Sequence, residues 1–450
     1  MRNQTALVQG GRYRGRSNPT VPTGGPPRGA PRAVPSWFKK RLTAQGYAQY
    51  AGFAATILSV LLAVRFSEIV PGAQILRPVI ASSILCVGYL LSQTRIDVVE
   101  RTAKDPIVVA MLIYGLTAVV GVPFALFKAL AFSGLGTMGY GILLTVAIMM
   151  VPPTIKALDR FTTVNVAAAA MVSGVWILIG QDKRGSGRLT SGGSYDPNDL
   201  GAMMCLFLPL AFGMMARGPI WRRLLGAGSA LTFMLMIVQT SSRGALVGFG
   251  VLMLTLIATM KPSRAIVTLM IVIPALIGVW AIAPKQFKDR AGTLENVNED
   301  YNATTQTGRI AIWKRSFTHF AQNPITGVGM GNYSVAEGNY FRSMNTTAAW
   351  FTAHNTYIQA FVEFGFFGGC ALVFAMWSAA KGTWNMAKWS ISGLPNPVHR
   401  PEYLAAMTGY FSAIFFLSHA FVFLLFAAIG IGGLVRNVHK ASAPQLYRPV

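Results

Sequence analysis

Negative charge is scarce in this chain. Asp and Glu number 15 against 39 Lys and Arg, and the first 46 residues hold no acid at all. Charged residues of either sign make up only 12% of the sequence, where a soluble globular protein carries about 25%. That shortfall excludes an ordinary water-soluble domain. Cysteine is sparser still: Cys86, Cys205 and Cys370 each fall inside an apolar run, so they read as small core residues and not as a disulfide framework. The sequence contains no Cys/His cluster, HExxH helix or Walker loop, and no metal or nucleotide cofactor is expected. The alternation of a membrane β-barrel is missing too.

What the chain has instead is apolar length. Hydrophobic residues reach 53% and fall in repeated runs of about 20, the length that crosses a bilayer as a helix. The expected fold is an all-α polytopic membrane protein with about twelve transmembrane helices and one large periplasmic loop. The spans read as 48–68, 73–92, 106–124, 130–151, 163–180, 199–216, 222–240, 244–260, 265–283, 355–379, 402–419 and 421–436. The last two come from one apolar stretch and need a break near Ser418-His419. The chain then divides into a tail at 1–46, nine helices within 47–283, the loop 284–354, three helices within 355–437 and a second tail at 438–450. Its Arg, Gly and Pro content marks 1–46 as a disordered cytoplasmic tail. The first apolar run starts too late and runs too long for a cleaved signal peptide.

The net charge of +24 follows topology, not a nucleic-acid surface. Lys and Arg collect in alternate links: Arg95, Arg101 and Lys104; Lys156 and Arg160; Arg217, Arg222 and Arg223; Lys261 and Arg264; Lys381, Lys388 and Arg400; Arg436 and Lys440. That set, with the basic tail, marks the cytoplasmic side. The opposite side receives 181–198, the turn 240–243 and the loop 284–354. It carries Lys183, Arg184, Arg188, Arg243, Arg290, Arg309, Arg315 and Arg342 against the trend. Positive charge on that side points to an anionic ligand there.

Three outward points could carry chemistry. SYDPNDLG, Ser194 to Gly201, offers Asp196 or Asn198 as a helix cap, with a role in a polar site equally open. QTSSRGA sets Arg243 at a helix start, where the dipole disfavours a cation. A guanidinium there suits a phosphate, with snorkelling at the lipid interface as the plainer alternative. In the loop, GRIAIWKRSFTHF sets Arg309 and Trp313 at i,i+4, then Phe317 and Phe320, on one amphipathic helix suited to a membrane surface. GVGMG, Gly327 to Gly331, permits close approach of backbone amides to a ligand. His354, beside Asn355 at the lip of the next span, is a candidate general base or hydrogen-bond donor to a phosphate, or else a structural residue. Glu363 lies about 13 Å deeper along that helix, either functional or paired with Arg65 or Arg77.

The order of these motifs is DPN before a span, SSRG between two spans, then GRIAIWKRSFTHFAQNPITGVGMGNYS and HNTYIQAFVEFGFFGG. It resembles the O-antigen ligase and O-antigen polymerase superfamily of bacterial membrane glycosyltransferases, most clearly over 190–370. The resemblance implies a GT-C-like enzyme of the bacterial inner membrane with its active face periplasmic. Such an enzyme moves a glycan from undecaprenyl diphosphate to an acceptor hydroxyl, on lipid A-core or another glycan, without metal or nucleotide. By analogy Arg243 and Arg309 bind the diphosphate and His354 acts at the acceptor hydroxyl. Arg188, Asp196, Asn198, Arg315 and Asn355 are the substrate-binding candidates beside them. The expected partners are the lipid-linked donor, a glycan or lipid-linked acceptor and membrane lipids, with no nucleic acid. The motifs do not separate a ligase from an O-antigen or exopolysaccharide polymerase, or from a protein O-oligosaccharyltransferase. The rival from another class is a lipid-linked glycan transporter. The lack of an internal repeat and the gathering of polar residues at the outer face favour the enzyme.

Overall fold

A computed structural model describes residues 96–179, 196–282, 285–292, 305–347, 349–391 and 394–446. The tail 1–46, the spans 48–68 and 73–92, and Arg65, Arg77 and Arg188 lie outside these residues. The described chain is helical apart from a two-residue antiparallel pairing, Ser390–Ile391 with Leu394–Pro395. Long apolar runs without strand alternation leave the helix as the way to satisfy every backbone group in hydrocarbon.

Among the described residues seven helices are long and apolar enough to cross a membrane. They are α2 (Pro106–Gly121, prolonged to Phe124 by a 3-10 turn), α3 (Lys128–Met149), α4 (Ile155–Ile179), α5 (Pro197–Ala216), α6 (Ile220–Thr240), α12 (Thr356–Ala387) and α14 (Phe423–Leu446). The apolar helices α7 (Arg243–Thr259), α8 (Pro262–Ile282) and α13 (Pro401–Ala413) join them. Outside the spans lie α1 (Ile96–Ala103), α9 (Lys285–Gly292), α10 (Arg309–Gln322) and α11 (Tyr333–Ser343). The chain is a multi-pass membrane protein.

Helix α5 is the centre of the packing. It buries 78% of its apolar window, against 39% for α2, α3 and α6, and packs on α6, α7 and α13. On the other side α12 packs against α2 and α14. Helices α7 and α13 cross at paired glycines: a Cβ on Gly248 would lie 2.7 Å from the Gly409 carbonyl oxygen. Membrane helices associate by such close small-residue packing, because lipid supplies no hydrophobic drive between them. Leu116, Phe132, Leu231 and Leu254 stay exposed on the outer faces, where lipid would cover them.

The links gather at two ends. At one, Asp105 pairs with Arg436, Asp159 with Arg222 and Arg400, and Glu402 with Arg217. Lys261 lies over Trp389 and the His399 ring reaches the Thr259 carbonyl at the same end. These are the basic links of the sequence, held together by scarce acids. At the opposite end, Leu126 N–H donates to the Val328 carbonyl, and the first turn of α5 meets the 240–245 turn.

Some boundaries differ from the hydropathy reading. Helix α4 starts at Ile155, before the expected 163, because Lys156, Asp159 and Arg160 depress hydropathy without stopping a helix whose Asp159 is paired. Helix α14 continues through the expected tail to Leu446. Between α13 and α14 the chain leaves helical form at Leu417–Val422, after a 3-10 turn at Ile414–Phe416. Among its described residues the stretch 284–354 contains three helices, α9, α10 and α11, of which hydrophobic spacing indicates only α10.

Candidate functional site

The glycine run does not form an open cradle. Helix α12 is broken at Gly365, whose φ is 69°. The segment Pro324–Gly331 straps across that break. Phe366 N–H donates to the Pro324 carbonyl at 2.7 Å, while Val328 and Gly329 N–H donate to the carbonyls of Val362 and Glu363 at 2.9 and 3.1 Å. A Cβ on Gly327 or Gly365 would strike the opposing backbone, and both sit at positive φ, so only glycine fits. The amides that the sequence offers to a ligand are taken up within the protein instead, Gly331 N–H by the Glu363 side chain. Its carboxylate accepts from Gly331 N–H at 3.0 Å, Tyr333 N–H at 3.2 Å and the Gln359 amide at 3.4 Å. Glu363 thus takes up two backbone N–H groups around the start of α11.

Arg315 also takes a different place from the one expected. Its Nε lies 3.1 and 3.0 Å from the two carboxylate oxygens of Glu337, its Nη2 lies 2.6 Å from one of them, and its Nη1 donates to the Gln306 carbonyl. Tyr340 and Phe341 flank the guanidinium. His319 Nε2 reaches the same carboxylate at 3.0 Å. Burial pushes Glu337 upward, but the His319 and Arg315 hydrogen bonds and the Arg315 charge outweigh it and hold the carboxyl below its ordinary range. Arg315 therefore ties α10 to α11 and has little left for a substrate. The packed face of α10 is Ile312, Arg315, Ser316 and His319, whereas Phe317 of the expected stripe is exposed.

The remaining candidates meet at the opposite end from the ion pairs. His354 has φ 45°, and its N–H donates to Ser418 Oγ at 2.9 Å. Thr356 Oγ1 donates to the Leu417 carbonyl and accepts from His419 N–H, so the break between α13 and α14 is clasped onto the start of α12. Asn355 caps that start, accepting from the Tyr357 and Ile358 amides. Trp313 of α10 donates from its indole to the Ala353 carbonyl at 3.0 Å and packs against Phe415 and Phe416. Arg309 lies over the Phe416 ring at 5.9 Å. On the other side of that residue, a Cβ on Gly244 would sit 3.3 Å from Phe416 Cβ, which brings the Ser-Ser-Arg-Gly turn to the same place. Within that turn Ser241 is left-handed and Ser242 caps α7, leaving Arg243 half-buried in the first turn.

Asp196 and Asp199 complete the group. Asp196 caps α5 and accepts from the Asn198 and Asp199 amides, while Asp199 accepts from Asp196 N–H. The capping reading of this motif is therefore realised in the geometry, with Asn198 bonded to Asp196 through its side chain. Asp199 has a second partner that hydropathy hides: His419 Nε2 lies 2.8 Å from Asp199 Oδ1, and its Nδ1 lies 3.0 Å from the Tyr410 hydroxyl. This fits an imidazole that donates to Asp199 and accepts from Tyr410. The only sequence signal for His419 was its place in an apolar stretch that had to break. At His354, burial lowers the imidazole pKa below its ordinary value and the Arg309 charge lowers it further, with Asp196 and Asp199 opposing. Arg309, Asp196 and Asp199 thus all act on His354 electrostatically. Among the described residues no three His, Cys, Asp or Glu side chains gather as a metal site.

Residues 227–373, which include Arg243, Arg309 and His354, match a model of the O-antigen ligase family. Over these residues the chain is similar to that family, and the match supports the O-antigen ligase and polymerase superfamily. Its activity is accordingly of the O-antigen ligase or polymerase type, that of a glycosyltransferase-like membrane enzyme. No curated protein sequence matches the chain.

Proposed function

We propose that the chain transfers a glycan from undecaprenyl diphosphate to an acceptor hydroxyl at the periplasmic face of the bacterial inner membrane, as a ligase does. The observation that carries this reading is an apolar groove that ends at a cation. A cavity of about 570 Å³ between α7, α12 and α13 is lined by Val247, Val251, Tyr357, Phe411 and Phe415 and closes on Phe416, the ring on which Arg309 rests. An isoprenoid chain followed by a diphosphate has this same sequence of chemistries. Arg309 would hold the diphosphate, with Arg243 approaching from the other side of Phe416.

In the step itself the acceptor oxygen forms a bond to the anomeric carbon while the bond from that carbon to the diphosphate oxygen breaks. The proton leaves the hydroxyl for neutral His354, and the electron pair leaves on the lipid diphosphate. Arginines that meet the developing anion stabilise it, and such a donor is worth about 10²–10³ in rate. A positioned base contributes about 10²–10⁴. The diphosphate linkage is itself activated, so no nucleotide enters. A polymerase of the same superfamily would use the same step with a second lipid-linked glycan as acceptor.

The test is transfer by purified protein in detergent with lipid-linked glycan, acceptor and chelator. Product in the presence of lipid A-core supports a ligase. Elongated lipid-linked glycan without it supports a polymerase, and the absence of either product with active lipid donor removes the reading.

A further inference from the structure

A second cavity, of about 260 Å³, opens between α10 and α11. Its size approaches the lower limit of small-molecule pockets, about 300 Å³. His319, Gln322, Asn323, Asn339, Tyr340 and Ser343 supply most of its polar lining. Among the described residues no Lys, Arg, Asp or Glu lines it, in a chain whose net charge is +24. That neutrality argues against a phosphate or carboxylate and for a ligand rich in hydroxyl or amide groups.

The floor is rigid and the rim is chemically unspent. His319 is held by Glu337 at 3.0 Å, and Tyr340 stands edge-on to it with ring centroids 6.3 Å apart. The side-chain amides of Gln322, Asn323 and Asn339 make no hydrogen bond to another described residue. Planar amides beside an aromatic ring offer both donors and acceptors to sugar hydroxyls and a face to the sugar's C–H groups. The cavity lies at the Gln322 end of α10 and Arg309 begins the same helix, a separation of about 20 Å by helical rise.

From this arrangement we infer that the cavity binds neutral sugar rings of a glycan chain whose reacting end lies at Arg309 and His354. The inference rests on the glycan-transfer reading, and α10 then acts as the span between a reaction site and a chain-holding site. Its occupant is a stretch of polysaccharide from either the donor or the acceptor, since both present the same chemistry.

The experiment uses full-length protein in detergent and the double variant Gln322→Ala/Asn339→Ala. Both positions are exposed, and matching melting curves establish that the fold is kept. The probe is the free glycan released by mild acid from the host's lipid-linked pool, observed by saturation-transfer NMR. Wild-type protein should saturate sugar protons, and the variant should lose most of that signal; equal signals overturn the inference. In the transfer assay, KM for a long glycan should rise about tenfold, as expected for two lost hydrogen bonds. kcat, and KM for a single-sugar lipid substrate, should not move. A rise confined to the donor or to the acceptor assigns the bound chain, and an unmoved KM for both overturns the inference. If wild-type protein transfers nothing, the transfer reading fails while the NMR arm still decides whether the cavity binds sugar.

Discussion

His354 joins an unusual backbone to an unusual electrostatic setting. Its backbone sits at positive φ in a turn fixed by Ser418, its Nε2 lies 3.3 Å from Thr352 Oγ1, and burial together with Arg309 keeps it neutral further into acid than an ordinary histidine. A neutral imidazole is what a base requires. Transfer should therefore fall on the acid side of about 6.5, as pH drops through the lowered pKa and the ring takes up a proton. Arg309→Gln removes the cation and should move that acid limb to higher pH, and Asp199→Asn should move it lower. Arg309→Lys keeps the charge and should leave the limb in place while losing rate, because lysine lacks the planar fork. The profile of kcat/KM against pH in the three variants is the measurement. A limb that stays put in both Arg309→Gln and Asp199→Asn would detach it from His354. In His354→Ala the rate should drop by about 10²–10⁴ with donor binding kept, whereas a merely structural His354 would lower the melting temperature and leave turnover per molecule near normal.

At the scale of elements, the loop end is held by devices that make strong demands on sequence. The strap 324–331 and the break in α12 need glycine at Gly327 and Gly365, because each backbone lies against the other at positive φ. Gly365→Ala should cost more than about 1 kcal/mol, the scale for a side chain forced into an incompatible conformation; an unchanged melting temperature in detergent would show that the strap tolerates it. The pairing of α10 with α11 rests on Glu337, which is fully buried with Arg315 and His319 as partners. Glu337→Gln leaves the Arg315 charge buried without its counter-ion and should cost about 3–5 kcal/mol. Glu337's folded pKa is depressed, so its contribution is present above the unfolded value and is lost as pH falls through the folded one. Among the described residues, several apolar spans and the nearness of Arg309 to His354 were legible because apolar length and misplaced arginines act locally on the sequence. The Arg315–Glu337 pair was not, since an arginine facing inward and one facing a ligand read alike until the partner 22 residues away is in place. The same holds for His419, whose partner Asp199 is 220 residues distant, and for Glu363, which meets backbone amides that no side-chain pattern reports.

Across the whole molecule, the two ends of the bundle differ in what they do with charge. One end spends Asp105, Asp159 and Glu402 on arginines from distant links, which locks the helix ends together. The other pairs Glu337 with Arg315 and Asp199 with His419, and there Arg309 lies over an aromatic ring beside an apolar groove open to a lipid-borne anion. If the basic end faces the cytoplasm, as positive charge in links dictates, the groove and His354 face the periplasm. Single cysteines placed in a chain with Cys86, Cys205 and Cys370 replaced decide this. Ser263 is exposed at the start of α8, beside Lys261 at the basic end, and Thr347 is exposed just beyond α11 at the other. With a membrane-impermeant maleimide on intact spheroplasts, Thr347→Cys should label at once and Ser263→Cys only after permeabilisation. The reverse pattern would put the groove and His354 on the cytoplasmic side. A periplasmic acceptor could not then reach the site, and the transfer reading would have to be rebuilt around a cytoplasmic one.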